Sequence, residues 1–300
     1  MKYVGRYILR TVLFTAGHNE KYINKAFESD ADTIVLDLED AVPANKKAEA
    51  RKKIMEVLKV NTDKRPIFVR INPLESGDTL KDLDEVACEK LSGFVYPKVY
   101  NAEDIKVFDA QLSLKEKNLN LPKGYFDIIA LIETPEAVLN VHEIARSSKR
   151  MKALLFGCED FLADMEGEHG MEGRSLLVPR HLVSMAARAA GIIPIDTPYV
   201  KIGDFEGLKL HIQQAKELGY EGMLVMTPKE IPIVKEKYSP SKEEVEKAKK
   251  LVLFSLETNE ANKGIAVVDN IFVSPPTLSR ANKLLARHEN IIKFESYLKE

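Results

Sequence analysis

Five polar clusters, each closing an apolar, β-branched run, carry the side chains of this sequence best placed to do chemistry. They are Asp37-Leu38-Glu39-Asp40, Arg70-Ile71-Asn72, Pro97-Lys98, Glu133-Thr134 and Glu159-Asp160. One carboxylate from Glu133 and one from the Glu159/Asp160 pair, with waters and a bidentate oxygen ligand, suit Mg²⁺, a hard cation that keeps several waters and is rarely caged by protein alone. Successive strand positions face opposite ways, so one of Glu159 and Asp160 is expected to serve, not both. The same acids also suit N-caps, or partners for Arg70 and Lys98. Arg70 has two readings as well: a planar fork for a carboxylate or enolate oxygen, or a structural ion pair beside acids.

These groups need elements that bring them to one place. Eight apolar runs punctuate the chain, at residues 11–16, 33–40, 66–72, 93–99, 126–134, 151–160, 193–199 and 220–227. Between them lie stretches of helical period with charged outer faces, at 46–60, 101–119, 135–147, 180–190 and 204–218. Ile34-Val35-Leu36, residues 128–132 and Ala153-Leu154-Leu155-Phe156 are apolar on both faces, as parallel strands covered by helices should be. Eight strand–helix repeats predict a closed (β/α)₈ barrel over residues 1–240. In that fold the C-terminal strand ends carry the chemistry, and these are the positions of the five clusters. Residues 241–300 read differently. Ser241-Lys242-Glu243-Glu244 caps a helix reaching about 258, and 276–299 is another long helix, with the short apolar piece 264–269 between them. This extension is expected to be α-helical, to lack a core of its own, and to pack on its own or a neighbouring barrel.

Composition excludes several classes. The 300 residues are 45% hydrophobic and 30% charged, with 14 Pro and 15 Gly, which rules out disordered or collagen-like chains. Forty-four Lys and Arg against 46 Asp and Glu leave a net charge of −2, so there is no global basic field for nucleic acid. Cys88 and Cys158 form no metal-finger spacing and are expected as free thiols. With a polar N-terminus and no long apolar run, no membrane association is expected, and the expected location is cytoplasmic.

Read in order, the strand ends resemble the citrate lyase β-subunit-like (HpcH/HpaI aldolase/citrate lyase) family, which includes malyl-CoA and citramalyl-CoA lyases. Arg10-Thr11-Val12-Leu13-Phe14-Thr15-Ala16-Gly17 is similar to that family's opening block. The likeness continues through Leu36-Asp37-Leu38-Glu39-Asp40, Val69-Arg70-Ile71-Asn72, Tyr96-Pro97-Lys98, residues 130–135, residues 157–164 and Ile195-Asp196-Thr197-Pro198-Tyr199. The resemblance implies a Mg²⁺-dependent barrel of the phosphoenolpyruvate/pyruvate type, usually a homotrimer or hexamer, that makes or breaks a carbon–carbon bond between a thioester enolate and a 2-oxo acid. On matching positions Glu133 and Asp160 would hold the metal, Asp37 and Glu39 its waters, and Arg70 the oxyanion. Arg10, Lys98, Thr134 and Pro135 would contact the substrate or its CoA or acyl-carrier thioester. His18 is a further candidate for carrier phosphates, although an exposed histidine is the preferred reading there.

The chain departs from the family pattern at three places. After strand eight, Met223 and Thr227 stand where a Lys and a His are common, which affects substrate or carrier contacts of that loop. In the tail, Ser274 stands where the family places an Asp that acts from a neighbouring subunit, and an unassisted hydroxyl is a poor base near neutrality. Asp269, five residues earlier, would substitute only with a different backbone course. Residues 166–174 form a longer, acidic loop in which His169 sits between acids, without the H-E-x-x-H spacing that would indicate zinc, so zinc is not expected there.

The expected activity is cleavage of a malyl-, citramalyl- or citryl-thioester to a 2-oxo acid and an acyl thioester. The alternatives are a metal- and oxo-acid-binding assembly subunit, motivated by Met223, Thr227 and Ser274, and an aldolase acting on free oxo acids.

Overall fold

A computed structural model describes residues 5–260, 266–268 and 271–300. The eight apolar runs form eight strands: β1 Thr11–Ala16, β2 Thr33–Asp37, β3 Ile67–Arg70, β4 Gly93–Tyr96, β5 Asp127–Ile132, β6 Met151–Phe156, β7 Ile193–Asp196 and β8 Gly222–Val225. Each is parallel to its neighbours, and β8 pairs with β1 to close the barrel. Almost every strand residue is buried, because one face meets the barrel interior and the other the surrounding helices.

Side-chain alternation decides which residues reach the site. The interior cluster takes Val12, Val35, Phe68, Val95, Ile129, Leu131, Ala153, Leu155, Ile193 and Ile195, with Phe14 and Leu224 packed against it. Continuing the same parity by one step of two brings Asp37, Arg70 and Glu133 to the C-terminal mouth of the barrel. Met223, the neighbour of Leu224, falls on the opposite parity and is fully buried between barrel and helices.

The strands are shorter than the apolar runs, and the difference matters most at β6. There Cys158–Asp164 is a helix, so Glu159 and Asp160 lie in a first helical turn and not on a strand. This corrects the expectation that they face opposite sides: successive helical positions are about 100° apart. Acids are favoured there by the partial positive charge of the helix N-terminus. The single helix expected over 135–147 is two, Pro135–Leu139 and Val141–Arg146, broken at Asn140, whose Nδ2 donates to the Tyr100 carbonyl at 3.0 Å.

The chain divides into two units, Met1–Glu236 and Lys237–Glu300. In the second, helices Lys242–Glu260 and Pro275–Lys299 flank β9 Ala266–Val268 and β10 Ile271–Val273, an antiparallel pair. The extension is therefore not purely helical; the β-branched and aromatic residues on either side of a two-residue connection favour a hairpin. Nor does it lack a core: Ala248, Leu251 and Ala281 are buried together, with Val252, Val273, Leu284 and Leu285 packed on them. Among the described residues, no helix is long and apolar enough to cross a membrane.

Candidate active site

Strand register makes the first contact. Asp37 and Arg70 are Cα partners across β2 and β3. Arg70 Nε donates to Asp37 Oδ1 at 2.7 Å and Nη2 to Oδ2, a two-pronged pair in which Asp37 is 1% exposed. The backbone amides of Glu39 and Ala41 donate to the same carboxylate at 2.9 and 3.2 Å, so Asp37 is saturated by partners that also shape the loop after β2. Arg70 Nη1 lies 2.9 Å from Glu39 Oε2, and the guanidinium carbon sits 5.3 Å from the centre of the Phe14 ring. The carboxylates hold the guanidinium firmly protonated against its burial. These contacts use three of its five N–H groups, leaving donors for a ligand oxyanion.

Lys98 connects the two sides of the site. Its Nζ lies 2.9 Å from Glu39 Oε1 and 3.5 Å from Asp40 Oδ1, while its backbone amide donates to Glu133 Oε1 at 2.8 Å. It does so from a left-handed backbone, φ 45°, which is unusual for a residue with a side chain and concentrates at functional positions. Glu133 is 2% exposed. Burial, then the charges of Asp160 and Glu39, push its carboxyl up to about 8. Gly157 makes room for it: a Cβ on that glycine would stand 3.1 Å from Glu133 Oε2 and 2.8 Å from Glu133 Cβ. Burial also raises Glu39, ahead of the opposing pull of Arg70. Both Glu39 oxygens are buried, and their contacts with Arg70 and Lys98 are ion contacts without hydrogen-bond angles.

This donor set fits a hard divalent cation. Five carboxyl groups, Asp37, Glu39, Asp40, Glu133 and Asp160, face two cations, Arg70 and Lys98. A buried carboxyl pushed up by like charges is one that a bound cation would relieve. Asp37 is taken by the arginine fork, and Glu39 and Asp40 by contacts with Arg70 or Lys98, which leaves Glu133 and Asp160 as the candidates for direct ligands, and their oxygen-only chemistry favours a magnesium-like ion.

The same shift sets a pH dependence for the metal-free protein. Glu133 has a folded-state value above its ordinary 4.5, so its contribution to stability is full below about 4.5 and is lost as pH rises toward 8. With a chelator present, the melting temperature should fall across this window, and a saturating divalent cation should restore it, more at pH 8 than at pH 5. Thermal scans at several pH values check this; Glu133→Gln should flatten the slope.

Other expected site residues are placed differently. Arg10 precedes β1 and therefore lies at the opposite, N-terminal end of the barrel. It is 2% exposed and paired with Asp32 through Nε and Nη2, each at 2.8 Å. It is a structural ion pair and not a carrier contact, because the direction of β1 carries it away from the mouth. Arg10→Met should cost about 3 kcal/mol of stability by removing the two-nitrogen partner of buried Asp32 and leaving Lys235 Nζ, at 3.6 Å, as its cationic partner, with the KM for substrate unchanged; denaturant unfolding and kinetics separate the two effects. Thr134 caps the helix beginning at Pro135, its Oγ1 accepting from Ala137 N at 3.0 Å. Asn72 is held by Asp82, which in turn pairs with Arg51. Thr227 follows β8 and its Oγ1 donates to Glu230 Oε1 at 3.2 Å. Ser274 belongs to the second unit, where it caps the last helix through Thr277 N. Asp269 lies outside the described residues.

Two features were not expected. A groove of about 720 Å³ beside His18 is lined by Lys21, Lys25 and Lys53 together with Glu20 and Glu28, and Lys53 Nζ donates to the His18 carbonyl at 3.0 Å. The detectable signal was Lys21 and Lys25 at a four-residue spacing directly after the first strand. The other is the meeting of His169 with Glu159, Nε2 to Oε1 at 2.6 Å, across a loop that the sequence left without a role.

Comparison with known proteins gives a consistent result. The model of the HpcH/HpaI aldolase/citrate lyase family matches residues 10–228. The citrate lyase subunit beta of Haemophilus influenzae is 30% identical over 287 residues, 95% of this chain and 99% of that protein. The mitochondrial citramalyl-CoA lyase of Homo sapiens is 30% identical, over 93% of this chain and 84% of the relative. Protein CitE from Mycobacterium tuberculosis, solved in complex with magnesium, acetoacetate and coenzyme A, superposes with a TM-score of 0.74 at 26% identity, covering 95% of this chain and 99% of the other.

Proposed function

The chain belongs to the HpcH/HpaI aldolase/citrate lyase family, and from that premise we propose that it is a Mg²⁺-dependent carbon–carbon lyase. Its proposed substrate is a 3-hydroxyacyl thioester of the malyl, citramalyl or citryl type, cleaved to a 2-oxo acid and an acyl thioester. The observation that carries this reading is the mouth itself: buried Glu133, raised by its acidic neighbours, beside an arginine fork with donors to spare.

Mg²⁺ bound by Glu133 and Asp160 would supply Lewis acidity, making the substrate hydroxyl easier to deprotonate. The protein groups do the rest. Asp37, gripping Arg70 along one edge through two nitrogens, fixes the plane of the guanidinium, so the remaining N–H donors are preorganised for the negative oxygen of the thioester enolate. As the C–C bond breaks, its electron pair passes to that enolate and the former hydroxyl carbon becomes the carbonyl of the 2-oxo acid; the hydroxyl proton leaves to solvent, and a proton from solvent adds to the enolate carbon to give the acyl thioester. Lys98 neutralises Glu39 through Nζ and orients Glu133 through its amide, so one strained residue ties the two acids together. The groove of Lys21, Lys25 and Lys53, which Glu20 and Glu28 also line, offers ammonium groups to meet the phosphates of a CoA or acyl-carrier arm.

Ser274 bears on the fate of the acyl thioester after cleavage. Its hydroxyl is engaged as a helix cap and lies 2.9 Å from Thr277 Oγ1, so it is a hydroxyl held by a hydroxyl and an amide, without the basicity to activate water. The reading is therefore a lyase that releases an intact acyl thioester, working as a cytoplasmic homo-oligomer, trimer or hexamer. The test is a panel of malyl-, citramalyl- and citryl-thioesters, following Mg²⁺-dependent release of 2-oxo acid and retention of the thioester product. Binding of Mg²⁺ and an oxo acid with no turnover on any thioester would favour the assembly-subunit reading instead.

A further inference from the structure

Three potential ligand atoms of different chemistry meet on the loop side of the mouth, outside the oxygen-only site. Cys158 Sγ lies 3.4 Å from Glu159 Oε1, and His169 Nε2 lies 2.6 Å from the same oxygen. All three donor atoms fall within 4.8 Å of one another. A tetrahedral zinc with ordinary bond lengths needs its ligands about 3.4–3.7 Å apart, so small side-chain rotations suffice. The three differ in access: Cys158 is 1% exposed, whereas the side chains of His169 and Glu159 are 44% and 62% exposed. An ion would thus rest on a buried sulfur with its open side toward solvent, where water completes the shell.

Local structure holds the set in place. Cys158 and Glu159 are consecutive in the first turn of helix Cys158–Asp164, and the Cys158 amide donates to Thr197 Oγ1 at 3.0 Å. His169 returns across ten residues to meet them, from the acidic loop in which this chain departs from the family pattern. His169 and Glu159 are held together by their own 2.6 Å contact.

We propose that Cys158, Glu159 and His169 form a second metal site, selective for a borderline divalent ion such as Zn²⁺ or Co²⁺ and distinct from the Mg²⁺ site at Glu133 and Asp160. Selectivity follows from the ligands: sulfur and imidazole favour zinc and cobalt, whereas Mg²⁺ requires oxygen. On binding, the S–H bond of Cys158 is exchanged for a metal–sulfur bond and the proton passes to solvent; no electron is transferred.

The experiment uses untagged full-length protein with saturating Mg²⁺, titrated with Zn²⁺ against a chromogenic chelator and separately with Co²⁺. The expected result is one equivalent of Zn²⁺ that Mg²⁺ does not displace, with affinity reduced at least tenfold in His169→Gln, an exposed-loop change that leaves the fold intact. Co²⁺ should give a near-ultraviolet thiolate charge-transfer band, retained in His169→Gln at higher metal and lost in Cys158→Ser. The proposal is overturned if Zn²⁺ does not bind stoichiometrically. It is equally overturned if binding is insensitive to both substitutions, or competes with Mg²⁺ and vanishes in Glu133→Gln, since the ion would then occupy the other site.

Discussion

Glu133→Gln should abolish metal-dependent cleavage while making the metal-free protein more stable at alkaline pH. The side chain is nearly isosteric, and glutamine keeps an oxygen to accept the Lys98 amide that Glu133 now binds at 2.8 Å. What it loses is the negative charge at the centre of the mouth. If the metal supplies about 4 kcal/mol of transition-state charge stabilisation, kcat falls on the order of 10³-fold. The opposite sign for stability has the same cause. Burial and the charges of Asp160 and Glu39 oppose ionisation of Glu133, and glutamine removes the group that must ionise between pH 4.5 and 8. Release of 2-oxo acid as a function of Mg²⁺, beside thermal unfolding with a chelator at pH 8, measures both. Full activity in the variant would remove Glu133 from the ligand set; a fall in metal-free stability would show that its charge is compensated in another way.

Arg70→Lys should lower kcat by about 10²–10³-fold, with a smaller change in KM. Lysine keeps the charge but not the fork, so it cannot hold Asp37 through two nitrogens, reach Glu39 and still present a donor to the enolate. Arg70→Met tests the structural share. It leaves Asp37, 1% exposed, without its principal partner and should cost about 3–5 kcal/mol. A lysine variant near wild-type in kcat but strongly destabilised would assign Arg70 a purely structural role. Loss of kcat at nearly intact stability in Arg70→Lys supports oxyanion stabilisation.

Much of this architecture was readable from residue order. Runs such as Ile34-Val35-Leu36 and Ile128-Ile129-Ala130-Leu131-Ile132 are apolar on both faces because their strands are covered on both, and eight of them with intervening helical stretches leave few alternatives to a closed barrel. Asp37, Arg70 and Glu133 were legible as polar groups ending their strands, and in the structure each follows an interior-facing residue at a step of two, which makes them candidates for the mouth. Element ends were less so. At β6 the apolar run ends where a helix begins, and only the hydrogen bonding of Cys158–Asp164 separates the two.

Charge type and spacing established which groups were available: oxygen donors on several strand ends, an arginine and a lysine among them, and a tail that departs from the family pattern. Family likeness alone points Arg10 at the carrier, although it precedes the first strand, and its pair with buried Asp32 shows what it does at the barrel's N-terminal end. Charge type and spacing could not show His169 closing onto Glu159 and Cys158. Strand periodicity is written locally, in neighbouring residues, whereas contacts across loops and between ends of the barrel depend on closure of the whole chain. That closure brought the mixed sulfur, nitrogen and oxygen cluster together beside the oxygen-only mouth.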